Sequence, residues 1–321
     1  MKILVTGGAG FIGSYLSTQL LENGNSLIVL DDLSTGKAEN IDHLKTKSNF
    51  SFCEGSILDQ KLIFELLEEV DGCFHLGAAL GVKRILEFPY TSFIANTQGT
   101  ENVVLAATKF KKKVFIASTS EIYGKNLAQP LTEESDRVVG SPQLLRWAYS
   151  EAKAMDESLA QMFYQSHGLE FVVGRFFNTV GPRQAGMYGM VLPRFVEAAI
   201  HNQNLEIHGD GSQTRVFCHV LDAVDAVIKL FFNDGAVGQA FNIGGEGEIS
   251  INELARKVIS ITGSESETVY VPYSQAYPEG FEEMMRRVPD TTKLRRLTGW
   301  FPKRNLDLTI KDIEEVMRAK S

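Results

Sequence analysis

The sequence predicts an α/β fold: a doubly wound parallel sheet with a smaller C-terminal lobe. Three observations predict it. Short apolar runs rich in Val, Ile and Phe alternate with longer amphipathic segments, the pattern of βαβ units. A glycine-rich turn at residues 6–13 joins the first such run to the first amphipathic segment. After Asn178 the pattern loosens, interrupted by Gly181-Pro182, Gly209, Gly211 and Gly244-Gly245.

Taken in order, the apolar runs predict strands at about residues 2–6, 26–31, 49–53, 72–76, 113–118 and 170–174. The amphipathic intervals predict helices near 11–23, 58–69, 93–109 and 147–167. Residues 1–177 then form a dinucleotide-binding domain to which some later segments return, and 178–321 form mainly the second lobe. With no internal repeat, low-complexity stretch or clean linker, that lobe is expected to pack on the sheet rather than swing on a tether.

Composition narrows the function. At 321 residues, 44% hydrophobic and 22% charged, the chain can bury a large core. A net charge of −8 lacks the positive field that nucleic-acid and membrane-surface binders use to collect phosphates. Any anionic ligand must be held by local Arg and Lys. Cys53, Cys73 and Cys218 are too few and scattered for a disulfide framework or a metal site, so no metal is expected and a reducing compartment fits. Met1 and Lys2 directly precede the strand-like Ile3-Leu4-Val5, leaving no room for a signal peptide, and no apolar run reaches bilayer length. A cytoplasmic location is expected.

The turn reads Thr6-Gly7-Gly8-Ala9-Gly10-Phe11-Ile12-Gly13. Gly7, Gly10 and Gly13 serve the tight reversal, the close approach of backbone to a pyrophosphate, and the packing of helix on strand. The helix N-terminus offers unpaired N–H groups to the phosphates. About twenty residues on, Asp31 ends the second strand, placed to accept hydrogen bonds from the adenosine ribose and to repel a 2′-phosphate, so NAD is expected over NADP. Asp32 is a second candidate or simply a solvated turn residue. Ser56 and Ile57, after the third strand, are candidates for the adenine contact or plain loop and core.

Tyr149 and Lys153 are four residues apart and share a helix face. A phenol with a pKa near 10 is too weak a base at neutral pH. A neighbouring ammonium together with a positive nicotinamide ring would lower it. The run Ser118-Thr119-Ser120-Glu121-Ile122-Tyr123-Gly124 ends the fifth strand, at the carboxyl edge where parallel sheets present their ligands, and offers hydroxyl groups to a sugar oxygen.

These motifs, with His75-Leu76-Gly77-Ala78-Ala79 and Asn96 in an Asn-x-x-Gly-Thr setting, resemble the extended short-chain dehydrogenase/reductase family of nucleotide-sugar epimerases, dehydratases and decarboxylases, over essentially the whole chain. The resemblance implies a Rossmann fold, tightly held NAD⁺, oxidation at sugar C4 by hydride transfer, and reduction of the ketosugar once its chemistry is complete. It adds Phe11, Ile12, Leu76, Ala78, Asn96 and Ser118 to the cofactor site, beside Tyr149 and Lys153, and makes Thr119, Ser120 and Glu121 catalytic candidates. Gly77 stands where the family has alanine.

The same pattern continues in Arg175-Phe176-Phe177-Asn178-Thr179-Val180-Gly181-Pro182-Arg183, in Gly211-Ser212-Gln213-Thr214-Arg215, and in Arg286-Arg287-Val288-Pro289-Asp290. The resemblance implies that Asn178, Arg183, Arg215 and Arg287 contact a UDP-sugar, guanidinium groups suiting phosphate oxygens through their planar fork. Arg286 reads as a surface charge.

For the net reaction, the Ser-Thr-Ser-Glu run, Asn-Thr-x-Gly-Pro-Arg and Gly-Ser-Gln-Thr-Arg-x-Phe are most similar to UDP-glucuronate decarboxylases. A 4-epimerase needs no carboxylate beside the redox centre. Dehydratases carry a Glu at the position of Glu121, but 4,6-eliminating ones precede it with Asp where this chain has Ser120. UDP-glucuronate 4-epimerases have Arg-x-Arg where this chain has Arg183-Gln184-Ala185, which removes one clamp for a sugar carboxylate. Arg146 reaches either a substrate carboxylate or the surface. Decarboxylation is therefore placed ahead of 4-epimerisation and dehydration. A non-catalytic NAD(H)-binding protein on this fold would typically lose the Tyr/Lys pair or part of the turn, and both are kept. By family analogy the chain forms a homodimer through the helices at 93–109 and 147–167.

Overall fold

The computed structural model describes residues 1–79, 87–184, 190–277 and 281–319. Its first half follows the alternation of the sequence: β1 (Lys2–Thr6), α1 (Phe11–Glu22), β2 (Ser26–Asp31), β3 (Phe50–Glu54), α2 (Gln60–Glu68), β4 (Gly72–His75), α3 (Pro89–Phe110), β5 (Lys113–Thr119), α4 (Ala148–His167) and β6 (Phe171–Phe176). α3 begins at Pro89, earlier than the expected 93, because proline is well suited to the first helical position, where its missing N–H costs nothing. α4 ends at Gly168, which takes the left-handed conformation with φ 70°.

The second half is more broken: β7 (Thr179–Val180), α5 (Val191–Ile200), β8 (Leu205–His208), β9 (Thr214–Arg215), β10 (Cys218–His219), α6 (Val220–Phe231), β11 (Gln239–Ile243), β12 (Ile249–Ser250), α7 (Ile251–Thr262), β13 (Thr268–Val271), α8 (Tyr273–Ala276), β14 (Arg286–Arg287), α9 (Thr292–Thr298) and α10 (Leu306–Arg318). α7 opens with a reciprocal cap: the Ser250 hydroxyl accepts from Glu253 N, and the Glu253 carboxylate accepts from Ser250 N.

Seven parallel strands form the main sheet in the order β11-β6-β5-β4-β1-β2-β3. β11 is a strand that the apolar pattern did not reveal. The continuous apolar runs are explained by burial on both faces: Ile3, Val29, Phe74 and Phe115 pack with α1 and α6, while Leu4, Cys73, Val114 and Ile116 pack with α2, α3 and α4. Full burial of such a side chain contributes roughly 1.5–3 kcal/mol. The order in which strands are added reverses between β1 and β4, which opens a crevice at the carboxyl ends of the strands. The smaller lobe has its own core, formed by Leu192, Phe195, Leu254, Val258, Ile310 and Ile313 from α5, α7 and α10. Asp222 in α6 ties the segment before α10 to the main sheet, accepting from the backbone N–H of Lys303 and Arg304 and from the Arg304 side chain. No described helix is long and apolar enough to cross a membrane.

Candidate active site

A cleft of about 500 Å³ runs along the crevice and is lined from both lobes. Its floor is the glycine turn. Gly7 N–H donates to Leu30 O and Gly10 N–H to Gly7 O, which folds the turn back on β2. No side chain caps α1 and its first turn carries no acid, so the amides at Phe11 and Ile12 face the cleft as a cradle for an anion. Two glycines are sterically obligatory. A Cβ on Gly7, which has φ 70°, would stand 2.7 Å from Gly77 N, and one on Gly13 would stand 2.2 Å from Gly7 O. Gly13→Ala is therefore expected to cost about 1–3 kcal/mol of stability and to strip the purified protein of NAD, checked by melting temperature and by ultraviolet absorbance of the released cofactor.

Asp31 is buried at the end of β2, where Oδ2 accepts from Ala9 N and Oδ1 from Leu33 N, both at 2.9 Å. Burial raises its pKa, against the lowering effect of those backbone donors. Each oxygen keeps a lone pair for a diol. Asp32 also borders the cleft, but it is exposed and its carboxylate accepts from Ser34 N, the solvated-turn role. Ser56, Ile57, Leu76 and Ala78 line the cleft. Ile57 fills the notch above Gly99, and Ser56 Oγ accepts from Leu58 N. Asn96 acts one layer back, its amide bracing Ala79 through N–H and C=O alike.

Tyr149 and Lys153 project from α4 into the cleft, both buried. Sequence reasoning missed Asp156, whose carboxylate lies 3.0 Å from Lys153 Nζ in a pair of which neither side chain is more than 2% exposed. The i,i+3 spacing was the available signal. Burial pushes the Tyr149 phenol above its ordinary value, and Glu121 and Asp156 act in the same direction. Of the two cations expected to lower it, the one supplied by the chain is offset within the chain.

The β5 end divides its hydroxyls. Ser118 lines the cleft with its hydroxyl donated to Glu157, which is itself clamped by Arg175. Thr119 Oγ1 accepts from Glu121 N, and Ser120 borders the cleft. Glu121 is held from two sides, by Arg146 Nη1 at 2.7 Å and by Arg287 Nη1 at 3.8 Å. Burial alone would raise its pKa, but Arg146 and Arg287 outweigh that and keep the carboxyl below its ordinary value. Arg146 is buried against the rings of Trp147 and Phe281, so it is not a surface charge.

Asn178, at a left-handed φ of 35°, accepts from Arg287 Nη2, and both border the cleft. Arg183 borders it as well but leans toward α1, 4.4 Å above the Tyr15 ring with Nη1 donating to Ser14 Oγ, on the side of the glycine turn. Arg215 lies behind, paired with Glu283 at 2.7 Å. Arg286 pairs with Glu248 on the surface. Ala185, part of the departure from Arg-x-Arg, lies outside the described residues.

A family model described as GDP-mannose 4,6 dehydratase matches residues 4–313. Among curated relatives, the UDP-N-acetyl-alpha-D-glucosaminuronate decarboxylase of Bacillus cytotoxicus is 41% identical over 94% of this chain and 92% of its own length. The structure of UDP-glucose 4-epimerase from Thermotoga maritima with UDP-glucose superposes with a TM-score of 0.89 at 31% identity, covering 100% of this chain and 99% of that one. UDP-glucuronic acid 4-epimerase from Bacillus cereus, in complex with UDP-glucuronic acid and NAD, superposes with a TM-score of 0.90 at 26% identity over the full length of both chains.

Proposed function

The chain belongs to the GDP-mannose 4,6-dehydratase family, NAD-dependent enzymes of nucleotide sugars within the extended short-chain dehydrogenases/reductases, and from that premise we propose that it decarboxylates a UDP-hexuronate. The observation that carries the reading is the charge at Glu121. Two guanidinium groups, the buried Arg146 and the part-buried Arg287, face one carboxylate beside the cleft, which leaves an excess cation for an anionic sugar. A carboxylate so neutralised is a poor base for the C5 proton, which disfavours dehydration.

Gly7, Gly10, Gly13 and Asp31 would hold NAD⁺ in the cleft, where it would supply reversible hydride acceptance from C4. Tyr149 takes the proton of the C4 hydroxyl, and Lys153 fixes the tyrosine and the ribose beside it. Once C4 is a carbonyl, the substrate is a β-keto acid. The C5–C6 bond breaks, carbon dioxide leaves, and the electron pair moves onto the C4 oxygen as an enolate. Arg287 orients the leaving carboxylate. A proton from water would be added at C5, and once C4 is reduced again Tyr149 would return its proton to O4. One UDP-hexuronate and one proton thus give one UDP-pentose and carbon dioxide, with NAD⁺ unchanged. Asn178 borders the diphosphate, and Arg183 supports the cofactor side.

The chain works as a cytoplasmic homodimer joined through α3 and α4, which expose Tyr90, Phe93, Met155 and Met162. Mass in solution by light scattering tests the dimer. Purified protein incubated with UDP-glucuronate, UDP-N-acetylglucosaminuronate, UDP-glucose and UDP-N-acetylglucosamine, with products read by NMR, tests the reaction. The expected result is a UDP-pentose and carbon dioxide from an acidic sugar. A C4-inverted hexuronate as the sole product would overturn the decarboxylase reading in favour of epimerisation.

A further inference from the structure

The buried Lys153–Asp156 pair does something that a hydrogen bond to a ribose does not require. An ammonium beside a phenol makes the phenol a better acid, but an ammonium with a carboxylate 3.0 Å away is a dipole whose field falls off faster than that of a charge. We propose that Asp156 is a positioning residue that anchors the Lys153 ammonium and opposes its field at the Tyr149 hydroxyl, so that the tyrosine's readiness to take a proton follows the charge of the ring bound beside it. The inference rests on the reading of Tyr149 as the base.

The three residues sit on one face of α4 at spacings of four and three, and all are buried, so solvent screens them little. Among the described residues, the other ionisable groups around them are already engaged or neutral. His75 at the end of β4 is hydrogen-bonded to Thr6 and Thr100; its burial and the Lys153 charge push it down to about 3, so it is neutral and adds no charge. Glu121, after β5, is tied to Arg146 and Arg287. Glu157, next to Asp156, is clamped by Arg175. Within this set, Asp156 is the only counter-ion that contacts Lys153. With a cationic ring beside it the tyrosine sees a net positive charge and releases its proton. With the ring reduced and neutral the Lys153–Asp156 pair leaves no net charge, and the tyrosine holds the proton that it must keep until the ketosugar is reduced.

Asp156→Asn keeps the shape and an oxygen that can accept from Lys153 Nζ while removing the charge. The test is an ultraviolet titration of the tyrosinate band in NAD-saturated protein without sugar nucleotide, each form measured against its Tyr149→Phe counterpart. Asp156→Asn is expected to ionise Tyr149 about one pH unit or more below the parent, and the acid limb of the kcat/KM profile to move by the same interval. Asp156→Glu, which retains the charge, is expected to titrate with the parent. A double variant, Lys153→Met with Asp156→Leu, removes both charges together, leaves neither buried alone, and is expected to stay within a few tenths of a unit of the parent. Asp156→Asn titrating with the parent, or the double variant rising by about a unit or more, would overturn the proposal, as would the absence of any tyrosinate difference between the parent and its Tyr149→Phe counterpart. The titration needs no turnover, so a chain inactive on every UDP-hexuronate leaves this test intact.

Discussion

Tyr149→Phe is expected to keep bound NAD and the parental melting temperature while kcat falls by about 10²–10⁴-fold, the range that a positioned acid–base group contributes. The ring is buried against the cleft wall, and phenylalanine retains its volume and packing, so only the hydroxyl is lost. That hydroxyl takes the C4 proton in the first half of the cycle and returns it in the last. Its removal should lower kcat and kcat/KM together with KM little changed, the signature of an interaction made in the transition state. Steady-state kinetics on the acidic sugar nucleotide check this. A loss under about tenfold, far below that range, would remove the tyrosine from the chemistry while leaving the family assignment in place.

Glu121→Ala should be the most damaging substitution for stability, costing about 3–5 kcal/mol, because it leaves Arg146 buried and Arg287 part-buried without their shared carboxylate. Arg146 is nearly closed off from solvent, packed against the rings of Trp147 and Phe281. Adding Arg146→Met should recover more than half of the loss, since the stranded charge and not the missing contact is the main cost. Denaturant unfolding of the single and double variants measures both. The pH dependence has a definite sign. The folded carboxyl titrates below its ordinary pKa, so its stabilisation is complete above that value and is lost as pH falls through the lowered one. The gap between parent and Glu121→Ala should therefore be constant from neutrality down to about pH 5 and narrow below about pH 4. A gap independent of pH would mean that the pair is worth nothing as a pair.

The sheet was legible wherever burial on both faces wrote a continuous apolar run, as in Ile3-Leu4-Val5 or Val114-Phe115-Ile116. β11 escaped because Gln239 and Asn242 interrupt it and glycines flank it. Asn242 is nevertheless fully buried, accepting from Tyr123 Oη and donating to Leu131 O and Asp290 O, a role that only the assembled neighbours reveal. In the cleft, the glycine turn was readable because its constraint is local, within a few residues of backbone. Arg146 was not, since its partner Glu121 lies 25 positions earlier and its burial depends on a ring, Phe281, that comes from far along the chain. Arg183 kept its charge but faces the opposite end of the cleft, because its left-handed backbone at φ 69° turns it toward Tyr15.

β11 also bears on how the molecule is made. Its five residues pair with β6 across an interval of more than sixty positions, so β6 stays an open edge of the growing chain's sheet until nearly half of the second lobe has left the ribosome. Until then β6 presents unpaired N–H and C=O groups that would accept any extended segment nearby. Synthesis therefore passes through a window in which aggregation competes with completion, and that window closes only when β11 reaches β6.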